Sequence, residues 1–192
     1  MARTLSGSRR EPDKARPTRH TTQLIKRVWR EPCEVRVVAL RRPRRIDGFP
    51  YVGIHRYSLR FSIYARRRLC VDPVAVRSAH AQILRTAGED QFAVLAHCYM
   101  PDHIHLVLEG TSGPSDLQRF VKVSKQRVDY VFRTELGIRS TWQEGYYERV
   151  LRSDQATDIV VRYVLENPVR AGLVKRAEDY PFSGAIFWPS AF

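Results

Sequence analysis

Residues 99–108 read Tyr-Met-Pro-Asp-His-Ile-His-Leu-Val-Leu. Pro101-Asp102 is a turn pair, and the residues behind it alternate between two kinds of position. Side chains along a strand change face with a period of two. Ile104, Leu106 and Leu108 therefore share one face, towards a core, while His103, His105, Val107 and Glu109 share the other. Two neutral imidazoles side by side near a strand end can chelate one divalent metal. They also fit a plainer arrangement, two surface histidines beside a turn.

The elements around this stretch set the fold class. Upstream, Phe92, Val94 and Leu95 begin a strand running to about Tyr99, which the Pro-Asp turn joins to the histidine strand 103–109. Before it, Pro73 suits a first helical position, and Val74, Val76, Ile83 and Leu84 place a helix over 73–87. Earlier still, Tyr57, Leu59, Phe61 and Ile63 alternate with Ser58, Arg60, Ser62 and Tyr64, a strand with one wet face closed by Arg66-Arg67-Arg68. Downstream, Leu117, Phe120, Val121, Ser124, Val128, Val131 and Phe132 keep helical spacing over 115–136, with Gly137 as the stop. A short strand follows at 146–152. Ser153 then caps a helix from Asp154 to about Asn167, ended by Pro168. The order strand-helix-strand-strand-helix-strand is the split β-α-β arrangement. It predicts an α+β fold: a ferredoxin-like antiparallel sheet with helices packed on one face, and an additional C-terminal helix.

Composition narrows the function. The chain has 192 residues, of which 43% are apolar, ample for one core. No apolar run is long enough for a membrane span, and the basic N-terminus lacks the apolar segment of a secretory signal. Cys33, Cys70 and Cys98 are odd in number and lack C-x-x-C spacing, which argues against a disulfide framework or a zinc knuckle and for a reduced, cytoplasmic setting. Lys and Arg number 33 against 20 acidic residues, net +13. Residues 1–48 carry 14 basic and 5 acidic side chains, a basic extension, disordered or arm-like, ahead of a domain over 49–192. A basic tail on a mildly basic domain is a footprint of nucleic-acid binding, and equally of an arginine-rich composition without a dedicated ligand.

The last helix supplies a second half to the histidine pair. Tyr163 and Asn167 are four apart and share a helix face. If that face lies over the histidine strand, Asn167 could give a third ligand through its amide oxygen, and Tyr163 a phenol beside the metal. The plainer reading of Tyr163, among Val160, Val161 and Val164, is a core or rim aromatic.

Four ordered motifs carry a family resemblance: Met100 to Leu106 around the histidines, Trp142 to Tyr147, Arg162-Tyr163 through Asn167-Pro168-Val169-Arg170 to Val174, and Asp179 to Ser183. Over about residues 50–188 the chain resembles the single-tyrosine HUH transposases, and within them the REP-associated tyrosine transposases. The resemblance implies a DNA transposase, a strand-transfer nuclease that binds single-stranded DNA hairpins. It cleaves and rejoins strands through a 5′-phosphotyrosine, with Tyr163 as nucleophile. His103, His105 and Asn167 would hold a divalent metal, Mg²⁺ or Mn²⁺. It further implies a monomer or homodimer in the bacterial cytoplasm, at the nucleoid. The alternative is a hairpin-binding protein of the same fold without catalysis. Barrel hydrolases with H-x-H pairs need roughly 250 residues, more than this chain has.

Two departures from the family stand out: Asp102 occupies a position where Asn is commoner, and the basic N-terminus exceeds the usual core. Nucleic-acid contacts are expected from Arg56, Arg60, Lys122, Lys125, Arg127, Arg149, Arg152 and Arg170, with Tyr64, Trp142, Tyr146 and Tyr147 as stacking candidates. Two imidazoles and an amide oxygen form a neutral site, which should hold Mg²⁺ weakly and tolerate Mn²⁺ well.

Overall fold

β1 (Arg56–Ser62) alternates half-buried and buried residues, as its sequence requires, because Tyr57, Leu59 and Phe61 are drawn into a core while Arg56, Ser58, Arg60 and Ser62 are not. The computed structural model describes residues 45–186 apart from Ser153. The basic extension up to residue 44, including its β-like run, and the Ser153 cap lie outside the described residues.

β1 is followed by α1 (Pro73–Glu89), β2 (Phe92–Met100), β3 (His103–Gly110), α2 (Leu117–Leu136), β4 (Tyr147–Leu151), α3 (Asp154–Leu165), a single-turn helix α4 (Asn167–Arg170) and β5 (Ser183–Ala185). The sheet is antiparallel in the order β4-β1-β3-β2-β5. Its first four strands are the ferredoxin-like arrangement expected from the element order, and the fold is α+β. β3 sits in the centre, which fixes the histidine strand from both sides: Arg60 faces His105 on β1, and Cys98 faces it on β2.

Both long helices are capped as their sequences suggest. The Asp72 carboxylate accepts from the Val74 amide at 2.8 Å, with Pro73 at the first turn. The Asp116 carboxylate accepts from Gln118 and Arg119, and Gly137 closes the C-terminus at φ 68°, where a side chain would be strained. These two helices cover one face of the sheet. Leu117, Phe120, Val121, Val128 and Phe132 of α2 pack on Tyr57, Leu59, Phe61, Ile104, Leu106 and Leu108. Each such fully buried side chain is worth about 1.5–3 kcal/mol. α1 differs from expectation: Val74 and Leu84 are exposed, and the packed face is small, Ala75, Ala79 and Ala87 with Val76 and Ile83. Small residues let the helix come close to the aromatic layer below it.

α3 takes the opposite face. Val160, Val161, Val164 and Leu165 pack on Leu95, Ala96, Cys98, Met100, Val107 and Leu151, a second core beneath the outward face of the histidine strand. Pro168 does not end the helical path as expected. The chain stays helical through Glu166 and resumes at Asn167, because Pro168 falls in the first turn of α4, where no amide donor is required. β5 was not anticipated. It pairs with β2, His97 opposite Gly184, and a Cβ on Gly184 would stand 2.9 Å from the His97 ring. The motif before it anchors this return: Tyr180 donates its hydroxyl to the Tyr99 carbonyl at 2.8 Å, and the Tyr99 amide donates to Phe182.

Candidate active site

The β2–β3 turn is pinned before it presents the histidines. The Ile63 amide donates to the Asp102 carbonyl and the Cys70 amide to the Pro101 carbonyl, both at 3.0 Å. From this turn, His103 and His105 leave on the face covered by α3. His103 Nδ1 lies 2.6 Å from the Asp102 carboxylate, and its Nε2 lies 3.0 Å from Nε2 of His105. Arg66 Nε holds the other Asp102 oxygen at 2.8 Å. Arg66 reaches it from a left-handed backbone, φ 54°, following Ala65 at φ 53°. Such residues cost roughly 1–2 kcal/mol each, so the surrounding contacts hold a strained segment where it serves the turn.

Electrostatics follow from these contacts. Burial pushes the Asp102 carboxyl up, but the hydrogen bond from His103 and the charges of His103 and Arg66 outweigh it and hold it below its usual range. Asp102 thus stays ionised and accepts Nδ1–H of His103, which turns Nε2 of His103 towards His105. His105 is buried, 9% exposed. Burial, then the positive fields of His103, Arg60 and Arg170, lower its pKa to about 3, so it is neutral at ordinary pH. Without a cation the 3.0 Å contact is a single N–H···N bond between the two rings.

The pair fits a divalent ion. At 3.0 Å, the distance of a hydrogen bond between the rings, both nitrogens could also reach one ion about 2.1 Å from each. Among the described residues no group of three or more His, Cys, Asp or Glu is gathered for a metal, so any further ligands would have to be neutral side chains, water or substrate oxygens.

Tyr163 stands over this pair. The buried valines on α3 fix the helix, and Tyr163, on its rim, is 52% exposed. Its ring meets that of His105 edge-on, centroids 6.5 Å apart at 87°. The Arg170 guanidinium lies 4.1 Å from the Tyr163 ring centroid, and Arg170 also donates to the Tyr163 carbonyl and to Glu166. Asn167 is one turn on from Tyr163, as the spacing requires, but its amide nitrogen donates back to the Tyr163 and Val164 carbonyls at 3.0 and 3.4 Å. Its side-chain hydrogen bonds among the described residues are with α3 rather than with the histidines.

The basic candidates divide by face. Arg60 and Arg149 line a cavity of about 420 Å³ with His105, Tyr147, Ile159 and Tyr163. Arg56 shares their face but is tied to Glu109 at 2.8 Å and to Asp154. Arg152 is exposed beyond the end of β4. Lys122, Lys125 and Arg127 are on α2, across the sheet from Tyr163. There Lys122 is exposed, while Lys125 donates to the Gln143 and Gly145 carbonyls, and burial lowers its pKa to about 8. Arg127 bonds Glu89 at 2.6 Å and Thr86. The structure does not bring these three to the histidines; the last two pin the loop after α2 and the α1–α2 contact. Trp142 and Tyr146 pack edge-on against Phe61, whereas Tyr64 and Tyr147 are exposed. Arg66 and Ile159 are the site residues that sequence reading passed over. A run of three arginines and an apolar helix position gave no sign of what they would face.

Comparison with known proteins bears on the family. The transposase IS200-like family matches residues 54–167, more than half of the chain, a span that contains both histidines, Tyr163 and Asn167. The REP-associated tyrosine transposase of Escherichia coli K12 is 28% identical over 102 residues, 53% of this chain and 59% of that protein. A Haemophilus influenzae relative is 29% identical over 126 residues, covering 56% of this chain and 65% of that protein. The chain therefore spans about three fifths of the length of these curated relatives. A solved structure of a REP-associated tyrosine transposase bound to a REP hairpin shares the fold, with TM-score 0.64 at 22% identity over 75% of this chain and 82% of that one.

Proposed function

The chain belongs to the IS200-like transposase family, and from that membership we propose that it is a strand-transfer nuclease acting on single-stranded DNA with hairpin structure. The observation that supports this reading is the convergence of Tyr163 and His105, itself paired with His103, on one arginine-lined cavity. No helix among the described residues is long and apolar enough to cross a membrane.

In this reading Tyr163 Oη gives up its proton to solvent and attacks the scissile phosphorus. The bond from phosphorus to the upstream 3′-oxygen breaks, and that oxygen leaves as a 3′-hydroxyl after taking a proton from solvent. The downstream strand stays on the enzyme as a 5′-phosphotyrosine. The covalent link preserves the bond energy, so a 3′-hydroxyl can later displace Tyr163 and rejoin strands. Ionising a free phenol at pH 7 costs about 4 kcal/mol. Arg170, stacked on the ring, fixes the side chain. His103 and His105 are the residues that would hold a divalent ion, with Asp102 orienting His103; Asn167, through its amide oxygen, is the candidate third ligand. Mg²⁺ or Mn²⁺ bound there would polarise the scissile phosphate and stabilise charge on its oxygens.

The test is adduct formation with labelled hairpin oligonucleotides taken from inverted repeats flanking the gene. Mn²⁺ should support a covalent protein–DNA species that chelator abolishes and that His103→Ala and His105→Ala reduce severely. Full activity in chelator would remove the metal from the account. Intact hairpin binding with no adduct on any substrate would make the chain a binding protein of this fold.

A further inference from the structure

On the face of the sheet away from Tyr163 lies a second pair of histidines, which strand transfer leaves unused. His97, on β2, shares its face with Tyr99, which packs into the core under α1 and α2, whereas Cys98 between them points to α3. His80 comes from the middle of α1 to meet it. The two rings lie 4.4 Å apart between centroids, tilted by 43°. That is closer than the 4.8 Å between the rings of His103 and His105. His80 Nδ1 lies 3.1 Å from the hydroxyl of Tyr99, a fully buried side chain. With Nδ1 engaged by that oxygen, Nε2 is left as the ligand atom, the outer-shell arrangement usual for a histidine that binds metal. His97 is half-buried, yet neither of its ring nitrogens has a hydrogen-bond partner among the described residues. A polar atom so placed needs water or an ion to satisfy it. Gly184 of β5 lies against the same ring: a Cβ there would stand 2.9 Å from Cε1 and 3.3 Å from Nε2 of His97. Glycine leaves the imidazole its room. Burial lowers the pKa of both rings, so both are neutral at ordinary pH, the form that ligates.

We propose that His80 and His97 form a second metal site, for one divalent ion of the kind that prefers imidazole, such as Zn²⁺. Two neutral nitrogens without a carboxylate suit Zn²⁺, Ni²⁺ or Cu²⁺ rather than Mg²⁺. No third His, Cys, Asp or Glu joins the pair among the described residues, so water completes the shell and the ion stays exchangeable. The ion joins α1 to β2 beside β5. It is a structural clamp at this edge of the sheet and takes no part in strand transfer. Because it binds the folded chain alone, it stabilises the fold.

The experiment is a Zn²⁺ titration read by competition with a chromophoric indicator. It uses the full chain carrying His103→Ala and His105→Ala, so that the first histidine pair takes no ion. One equivalent should bind. His80→Gln and His97→Phe should each weaken it about tenfold or more, and Tyr99→Phe about 10- to 100-fold through the lost hold on His80. Zn²⁺ should also raise the urea midpoint of the His103→Ala, His105→Ala protein, and leave it unmoved once His97→Phe is added. Urea unfolding without metal shows which variants are folded. His80→Gln, on the half-exposed surface of α1, decides the matter should His97→Phe fail to fold. No equivalent bound overturns the site. So does an affinity that neither His80→Gln nor His97→Phe changes, as an ion held by His20, Cys33 or His55 would give.

Discussion

Replacing Asp102 by Asn tests how the histidine pair is prepared for a cation. The carboxylate makes two charge-assisted bonds, 2.6 Å to His103 Nδ1 and 2.8 Å to Arg66 Nε. Asparagine keeps one acceptor oxygen but offers an amide donor to the other partner, so one bond is lost and the other loses the carboxylate's charge. Hydrogen bonds to charged groups contribute about 1.5–3 kcal/mol and neutral ones about 1, which leaves His103 free to rotate or to take the other tautomer. Outer-shell partners of this kind are worth 10- to 100-fold in metal affinity, or about 1.4–2.8 kcal/mol. Mn²⁺ titration of the DNA-free protein, followed by the loss of the free-ion paramagnetic signal, should show Asp102→Asn binding about tenfold or more weaker. Thermal unfolding serves as the control for folding. A dissociation constant within twofold of a measurable wild-type value would refute the claim that Asp102 sets the histidine.

Arg170→Ala should slow adduct formation roughly 2- to 30-fold, the value of one cation–π contact, with Arg170→Lys in between; an unchanged single-turnover rate would contradict it. Tyr180→Phe removes the bond to the Tyr99 carbonyl that anchors β5 and should destabilise by about 1–2 kcal/mol in urea unfolding, whereas an unmoved midpoint would mean the bond is idle. Burial, with help from His80, lowers the His97 pKa to about 4. The folded value is below the unfolded one, so this stability is present above pH 6.5 and lost as pH falls towards 4, at no more than about 1.4 kcal/mol per pH unit. His97→Phe should flatten that acid limb, and an identical slope in both proteins would rule His97 out as its source.

The sheet was legible because its information is local. Alternation in Tyr57–Phe61 and Ile104–Leu108 assigned faces that the structure keeps, and helical spacing placed α2 on the correct face. β5 was not legible, since Ser-Gly-Ala has no strand pattern and is extended by pairing with β2. The roles of Lys125 and Arg127 were hidden for a related reason. Spacing shows that a charge lies off the apolar stripe, but not that the Gln143 carbonyl or Glu89 waits there. At the site, Tyr163 and Asn167 were readable as one turn apart. The bonds that turn the Asn167 amide nitrogen to the α3 carbonyls are local, but side-chain orientation leaves no mark in spacing; the Arg66–Asp102–His103 chain depends on a residue brought in from another element.

The central claim is that Tyr163 becomes covalently joined to DNA. Incubating the protein with a 3′-labelled hairpin substrate and Mn²⁺, then mapping the denaturation-resistant species by peptide mass spectrometry, tests it most directly. The account predicts one nucleotidyl modification, on Tyr163, absent from Tyr163→Phe while hairpin affinity is nearly unchanged. An undiminished adduct in Tyr163→Phe, or a modification on another residue, would contradict it.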